Sequence, residues 1–117
     1  IAEDNPVNTL IVSHILKKLG FQFSAVENGK EVIEALQKGH YDLILMDCHM
    51  PVMDGLTSTR IIREKQLIDP ATPIIALTAD VIKGVQDECK TAGMNDYLSK
   101  PFKLEQLQGM LSKWAKT

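Results

Sequence analysis

The chain has 117 residues, 44% of them hydrophobic, which suits one domain built around a single core and spanning residues 1–117. The 13 Lys and Arg and the 15 Asp and Glu give a formal net charge of −2, and no long run of one sign offers a surface for nucleic acid or an anionic membrane. The apolar runs are far too short to cross a bilayer, so we expect a cytoplasmic domain with no direct membrane contact. Cys48 and Cys89 lack a metal-binding spacing, and we expect both to be reduced, packed thiols.

Apolar segments alternate with helix-period segments along the whole chain. Only two apolar residues precede the first acidic pair, so the first strand is predicted as a stub, truncated because upstream residues are missing or because the domain was cut from a longer protein. The third and fourth strands are continuously apolar, which is typical of parallel strands covered on both faces. The alternation predicts a βαβ series, with strands near residues 1–2, 21–26, 43–46, 74–78 and 96–99.

A helix is predicted after each of these strands. The first is the best signalled, because Asn5 is a cap residue, Pro6 takes the first helical position and Gly20 follows a lysine pair. The fourth has Asp80 as a candidate cap and Gly93 as its stop. The five helices are predicted within residues 5–20, 29–39, 55–65, 80–93 and 103–116.

Polar residues follow the predicted strands where each of them ends. Because ligand sites of open α/β sheets lie outside the carboxyl ends of the strands, these residues are expected to meet at one rim. Their oxygen-only carboxylates favour Mg²⁺, while a lysine and a hydroxyl suit an incoming phosphoryl group. Asp47 is then the candidate nucleophile, since a carboxylate can form an acyl phosphate. The residues at the rim are Glu3, Asp4, Asp47, Thr78 and Lys100.

Each of these residues also has an ordinary structural explanation. Asp47 and Thr78 are common types for capping a helix, and Lys100 is a common type for a solvated charge. Glu3 and Asp4 could be the acidic start of a helix, which the helix dipole favours. Only the position of all five residues at the ends of predicted parallel strands indicates a binding site for Mg²⁺ and a phosphoryl group.

The chain carries four motifs, "EDN" at 3–5, "MDCHMPVMDG" at 46–55, "LTAD" at 77–80 and "DYLSKPF" at 96–102. Together they resemble those of response-regulator receiver domains of two-component phosphorelays. The residues of these motifs are especially similar to those of receiver domains attached to hybrid sensor histidine kinases. The resemblance covers essentially the whole chain. It implies a flavodoxin-like (βα)5 fold, a doubly wound parallel sheet of five strands in the order 2-1-3-4-5.

The resemblance also implies a role for individual residues. Asp47 would be the phosphoacceptor, and Asp4 and Asp47 would bind Mg²⁺ directly. Glu3 would act on the ion largely through water, and His49 would offer its backbone carbonyl. Thr78 would be the switch hydroxyl.

The fifth strand and the residues after it supply the remaining implied roles. Lys100 would bind the phosphate, and Tyr97 would change rotamer together with Thr78. The peptide bond before Pro101 would be cis.

Two residues leave alternatives open. His49 departs from the residues usual at this position, and its ring either affects the approach of the phosphodonor or is simply solvated. Asp80 either caps a helix or lies near the hydrolytic water.

We therefore predict a phosphoacceptor switch that takes its phosphoryl group from a histidine kinase or a histidine phosphotransfer domain, catalyses its own phosphorylation and dephosphorylation, and is a monomer or weak dimer. The parent protein would be either a hybrid histidine kinase, anchored in the inner membrane, or a stand-alone regulator, and the truncated first strand favours the hybrid kinase. Three rival functions are a flavin-binding domain, a phosphatase with an aspartyl nucleophile, and a receiver-like interaction module that is never phosphorylated. The flavin rival lacks a hydroxyl- and glycine-rich loop after the first strand, and the phosphatase rival needs a second Asp where this chain has His49.

Overall fold

Three strands form a parallel sheet in the computed structural model, which describes residues 1–48, 50, 52–78, 89–99 and 103–114. β1 (Ile44–Asp47), β2 (Ile74–Thr78) and β3 (Asp96–Ser99) lie side by side in that order. β1 and β2 are buried at every position, as their continuous aliphatic sequence predicts. Because β1 pairs with β2 up to its last residue and β2 with β3 up to its last residue, the carboxyl ends of all three strands share one edge.

Ala2 extends this sheet beyond β1 through two isolated parallel bridges, one to Val26 and one to Met46. The Ala2 amide donates to the Leu45 carbonyl at 2.8 Å, and the Asp47 amide donates to the Ala2 carbonyl at 2.9 Å. Across the sheet the neighbours are Val26, Ala2, β1, β2 and β3, which agrees with the predicted order 2-1-3-4-5. The complete order of five strands stays a prediction.

The strand predicted over residues 21–26 is not formed as a strand. Val26 pairs with the amino-terminal segment, through its own amide to the Ile1 carbonyl at 2.9 Å and its carbonyl to the Glu3 amide at 3.0 Å. Residues 21–25 form no strand, and Val26 pairs with Ala2 through an isolated bridge. The predicted first strand is likewise a bridge at Ala2.

Helices cover both faces of the sheet, so the doubly wound α/β fold is confirmed. α1 (Pro6–Lys18) and α4 (Leu104–Trp114) lie over one face, and α2 (Gly29–Lys38) and α3 (Gly55–Glu64) over the other. Residues 89–92 are also helical. Among the helices of the described ranges, none has both the length and the apolar composition that a membrane crossing requires.

The helix ends follow the capping signals. The Asn5 side chain accepts a hydrogen bond from the Val7 amide at 2.9 Å, and Asp54 accepts one from the Thr57 amide at 2.7 Å. Gly20 and Gly93 both have positive φ, +87° and +112°, where the chain leaves a helix. The predicted cap Asp80 lies outside the described residues.

The core is divided by the sheet into two clusters, because successive residues of a strand face opposite sides. Ile44 and Met46 join the cluster under α2 and α3, whereas Leu45 joins the cluster under α1 and α4. On α4, Leu107 and Leu111 are buried. The sheet is thus held between two apolar layers, which keeps its carboxyl-terminal edge in place.

The end of α4 is attached to the start of β3 at Asp96. The Trp114 indole Nε1 donates to Asp96 Oδ2 at 2.9 Å, and Lys113 Nζ donates to the same oxygen at 3.1 Å. The Tyr97 amide donates to Asp96 Oδ1 at 2.9 Å. Burial alone would raise the pKa of Asp96, but these hydrogen bonds and the Lys113 charge together hold the pKa below its usual range.

Arg63 connects α3 to the edge of the sheet where β2 and β3 begin, opposite the edge where the strands end. Its Nη2 donates to the Thr72 carbonyl at 2.9 Å and to Asn95 Oδ1 at 2.8 Å, and its Nε donates to the Gly93 carbonyl at 3.1 Å. Asn95 Oδ1 also accepts the Ile74 amide at 2.9 Å, at the start of β2. Burial lowers the pKa of the Arg63 guanidinium. The group donates hydrogen bonds to four neutral oxygens, the fourth of which is the Pro70 carbonyl at 3.4 Å.

Candidate functional site

Three carboxylates meet at the carboxyl-terminal edge of the sheet. One oxygen each from Glu3, Asp4 and Asp47 lies within 4.8 Å of the other two. The fold brings them together because Asp47 ends β1 while Ala2, which pairs with β1, directly precedes Glu3 and Asp4. The rim predicted from the strand ends is therefore present for these three residues.

The carboxylates differ in their exposure. Glu3 is 2% exposed and Asp47 5% exposed, whereas Asp4 is open to solvent. Buried like charges so close together repel unless a cation or a proton compensates them. An all-oxygen donor set with one solvent-exposed carboxylate fits a hard divalent cation such as Mg²⁺, which binds through one or two carboxylates and keeps several waters.

The backbone at Asp47 is hydrogen-bonded to Ala2 on one side and to β2 on the other. Its amide donates to the Ala2 carbonyl at 2.9 Å, and the next amide, from Cys48, donates to the Leu77 carbonyl at 3.1 Å. Asp47 is paired with Leu77 in the register of β1 and β2. Its side chain therefore projects from a rigid strand end, and a rigid strand end holds a reacting group more precisely than a loop does.

Thr78 lies one residue beyond the pairing partner of Asp47, at the last position of β2. It is 1% exposed and pairs with Ser99 of β3. Tyr97 lies two residues before Ser99 on β3, where it pairs with Ala76, and it is half-buried against the cluster under α2 and α3. The predicted switch pair thus occupies adjacent strands.

Four sequence-predicted positions lie outside the described residues. The backbone carbonyl predicted to bind metal belongs to His49, and the predicted phosphate-binding group belongs to Lys100. Pro101, with the predicted cis bond, and Asp80 are the other two. β3 ends at Ser99, directly before Lys100 in the sequence. Their roles stay predictions.

The chain turns sharply after the site and returns to touch it. Val52 has φ of 66°, a left-handed conformation that is strained for a β-branched residue, and its side chain is 79% exposed. The Gly55 amide then donates to the Cys48 carbonyl at 3.2 Å. A Cβ at Gly55 would overlap the Asp47 carbonyl oxygen and lie 2.9 Å from Met46 Cγ, so only glycine allows α3 to start here.

Two features of the site region were not anticipated from the sequence. Asn8 Nδ2 donates to Glu3 Oε1 at 2.8 Å, a contact that follows from the first turn of α1 because helical side chains point back toward the amino terminus. Cys48 Sγ lies 3.6 Å from Cys89 Sγ, and both residues are buried thiols, packed as expected. No signal in the sequence pairs these two cysteines.

Comparison with known proteins identifies relatives for nearly the whole chain. The family model described as the response regulator receiver domain matches residues 1–112. The chain is 41% identical over 117 residues to Hybrid signal transduction histidine kinase K of Dictyostelium discoideum, a match that covers 95% of this chain and 10% of that protein. The chain thus spans about a tenth of the length of this curated relative.

Solved structures give the same picture. The receiver domain of sensor histidine kinase PA1611 from Pseudomonas aeruginosa PAO1, with a magnesium ion coordinated in its active site cleft, has a TM-score of 0.87 and 44% identity, over 97% of this chain and 92% of that one. A chain in the co-crystal structure of the Saccharomyces cerevisiae histidine phosphotransfer signaling protein Ypd1 with the receiver domain of Ssk1 has a TM-score of 0.89 and 32% identity, over 97% of this chain and 84% of that one.

Proposed function

Because the chain belongs to the response regulator receiver domain family and so acts in phosphorelay signalling, we propose that Asp47 is its phosphoacceptor. The observation that carries the proposal is the meeting of Glu3, Asp4 and Asp47 at the sheet edge. Asp47 is the member of this cluster that ends a strand, β1, which pairs with Ala2 on one side and with β2 on the other.

The cluster supports binding of Mg²⁺ by this chain. Asp4 and Asp47 would hold the ion directly, Glu3 largely through water, and the His49 carbonyl would add a ligand. When bound, the ion compensates the carboxylate charges and polarises the phosphoryl oxygens. A magnesium ion in the cleft of the PA1611 receiver domain supports this assignment.

The reaction we propose is transfer of a phosphoryl group from a phosphohistidine to Asp47. A carboxylate oxygen of Asp47 attacks phosphorus, the P–O bond forms, and the P–N bond breaks with its electron pair left on the imidazole nitrogen, which takes up a proton. Lys100 and the Thr78 hydroxyl would hold the equatorial oxygens of the transferred group. Hydrolysis of the acyl phosphate by water resets the domain.

The test of this function is intact-mass spectrometry after incubation with a small acyl-phosphate donor, with and without Mg²⁺. We expect a single phosphoryl adduct on the wild type that requires Mg²⁺ and is lost in Asp47→Ala. Asp42→Ala, at an exposed carboxylate remote from the cluster, is the matched control and should form the adduct normally. If the wild type forms no adduct and a beryllofluoride mimic leaves the Thr78 and Tyr97 resonances unchanged, the unphosphorylated interaction module replaces this proposal.

Thr78 would couple phosphorylation to the surface that partners read. Its movement toward the phosphate would leave space for Tyr97 to turn inward, shifting the balance between two conformations. Beryllofluoride should therefore shift the backbone NMR resonances of Tyr97 and residues 89–92 in the wild type and in Thr78→Ser, which keeps the hydroxyl. We expect these shifts to fall by at least about half in Thr78→Ala. Shifts of wild-type size in Thr78→Ala would disprove the coupling.

The phosphodonor we propose is a histidine kinase or a histidine phosphotransfer domain. The Ypd1 co-crystal structure supports a phosphotransfer protein as a partner of this kind of domain. The parent protein would be a hybrid histidine kinase, as the curated relative is. We further propose a cytoplasmic domain, monomeric or weakly dimeric, that binds no nucleic acid.

A further inference from the structure

We infer that Asn8 is a positioning residue that orients the Glu3 carboxylate in the metal site. Its amide Nδ2 donates to Glu3 Oε1 at 2.8 Å, from the first turn of α1. The inference rests on the proposed function, because it assigns Asn8 a role only where Glu3 takes part in cation binding.

Asn8 is itself held in place. α1 begins at a formed cap, in which the Asn5 side chain accepts the Val7 amide at 2.9 Å. Val12, one turn after Asn8, is buried in the cluster under α1 and α4. The donor amide is therefore carried by a docked, capped helix, and its position relative to the sheet edge is set by the fold.

The same turn of α1 also contacts the Glu3 backbone. Thr9 Oγ1 lies 3.4 Å from the Glu3 carbonyl oxygen and 3.2 Å from the Asn5 carbonyl oxygen, and its single proton is shared between these two acceptors. The Glu3 amide donates to the Val26 carbonyl at 3.0 Å, which holds the main chain of Glu3 beside the sheet. Asn8 supplies a contact of a different kind, since it fixes the torsion of the carboxylate group at the end of a flexible side chain.

Orientation of this carboxylate matters for a ligand that acts through water. Groups that orient metal-site ligands change metal affinity by about 10- to 100-fold when they are removed. An amide suits this position because it can donate to Glu3 without adding charge. An aspartate at position 8 would lose the donor and add a fourth negative charge next to three carboxylates.

The test is Mg²⁺ binding by the unphosphorylated protein, measured by isothermal titration calorimetry. We expect Asn8→Ala to weaken Mg²⁺ binding about tenfold and Asn8→Asp to weaken it further. His14→Ala, an exposed site on the same helix, should bind as the wild type does. Alanine has a higher helix propensity than asparagine, so a weaker α1 does not account for a loss of affinity in Asn8→Ala.

A double-mutant cycle with Glu3→Gln separates positioning from other effects. If Asn8 acts through Glu3, Asn8→Ala has little further effect on Mg²⁺ affinity once Glu3 is replaced. The inference would be overturned if Asn8→Ala lowered Mg²⁺ affinity equally in the wild type and in Glu3→Gln. It would also be overturned if Asn8→Ala and Asn8→Ser both bound Mg²⁺ as tightly as the wild type does. Either result would leave the proposed function intact. A wild type that binds no Mg²⁺ would overturn both.

Discussion

Gly55→Ala is expected to lower the free energy of unfolding by about 3 kcal/mol, the upper part of the usual range for overpacking. The added Cβ meets the Asp47 carbonyl oxygen and Met46 Cγ, and a backbone oxygen has no rotamer by which to move away. The strand end or the start of α3 has to shift. Because the displaced residue is the proposed phosphoacceptor, we also expect adduct formation to slow at least tenfold under conditions where the variant is still folded.

Gly109→Ala is the matched control for this substitution. Gly109 lies within α4, and a Cβ there meets no atom within 4 Å. Replacing a helical glycine with alanine in open space stabilises a protein by roughly 0.5–1 kcal/mol. Urea unfolding of the two variants should therefore give changes of opposite sign. Wild-type stability and wild-type adduct formation in Gly55→Ala would show that the helix start adapts without disturbing Asp47.

Arg63→Ala is expected to destabilise the domain by about 3 kcal/mol, since hydrogen bonds to a charged group contribute about 1.5–3 kcal/mol each and some of the exposed oxygens recover water. The guanidinium joins α3 to the segments on either side of β2, through the Thr72 and Gly93 carbonyls and the Asn95 side chain. Lysine lacks the planar fork, so Arg63→Lys should recover only part of this stability.

Arg60→Ala serves as the control for Arg63→Ala, because Arg60 is an exposed arginine of the same helix. We expect it to change stability by less than about 0.5 kcal/mol. Adduct formation on Asp47 should continue in Arg63→Ala once the protein is folded, since Arg63 lies at the opposite edge of the sheet from the site. A destabilisation of the same size in Arg60→Ala would mean that helix propensity, rather than the guanidinium contacts, explains the effect.

The strands could be predicted well where the apolar pattern is continuous. β2 and β3 begin and end at the predicted residues, and β1 is displaced by one residue toward its carboxyl end. The displacement arises because the backbone of Asp47 is paired although its side chain is polar. The cluster of Glu3, Asp4 and Asp47 was also predictable, because strand ends in a parallel sheet share an edge whatever connects them.

The missed features depend on contacts between segments that are distant in the sequence. Residues 21–25 have the composition of a strand but form none, whereas Val26 pairs with Ala2, a residue 24 positions earlier. The four oxygens around Arg63 come from two separate segments, residues 70–72 and 93–95, and the sequence does not distinguish an arginine with such contacts from an exposed one. The contact between Cys48 and Cys89 likewise exists only once the helical stretch at 89–92 packs on the sheet.

The pairing of Ala2 with Met46 also determines when during translation this site can form. Glu3 and Asp4 leave the ribosome before Asp47, which ends the strand beside them, and the neighbouring hydroxyl follows only with Thr78. A nascent chain that stops short of residue 47 carries the acidic pair without the proposed acceptor. The incomplete domain therefore cannot accept a phosphoryl group at the proposed position, and translation must pass residue 47 before it can do so.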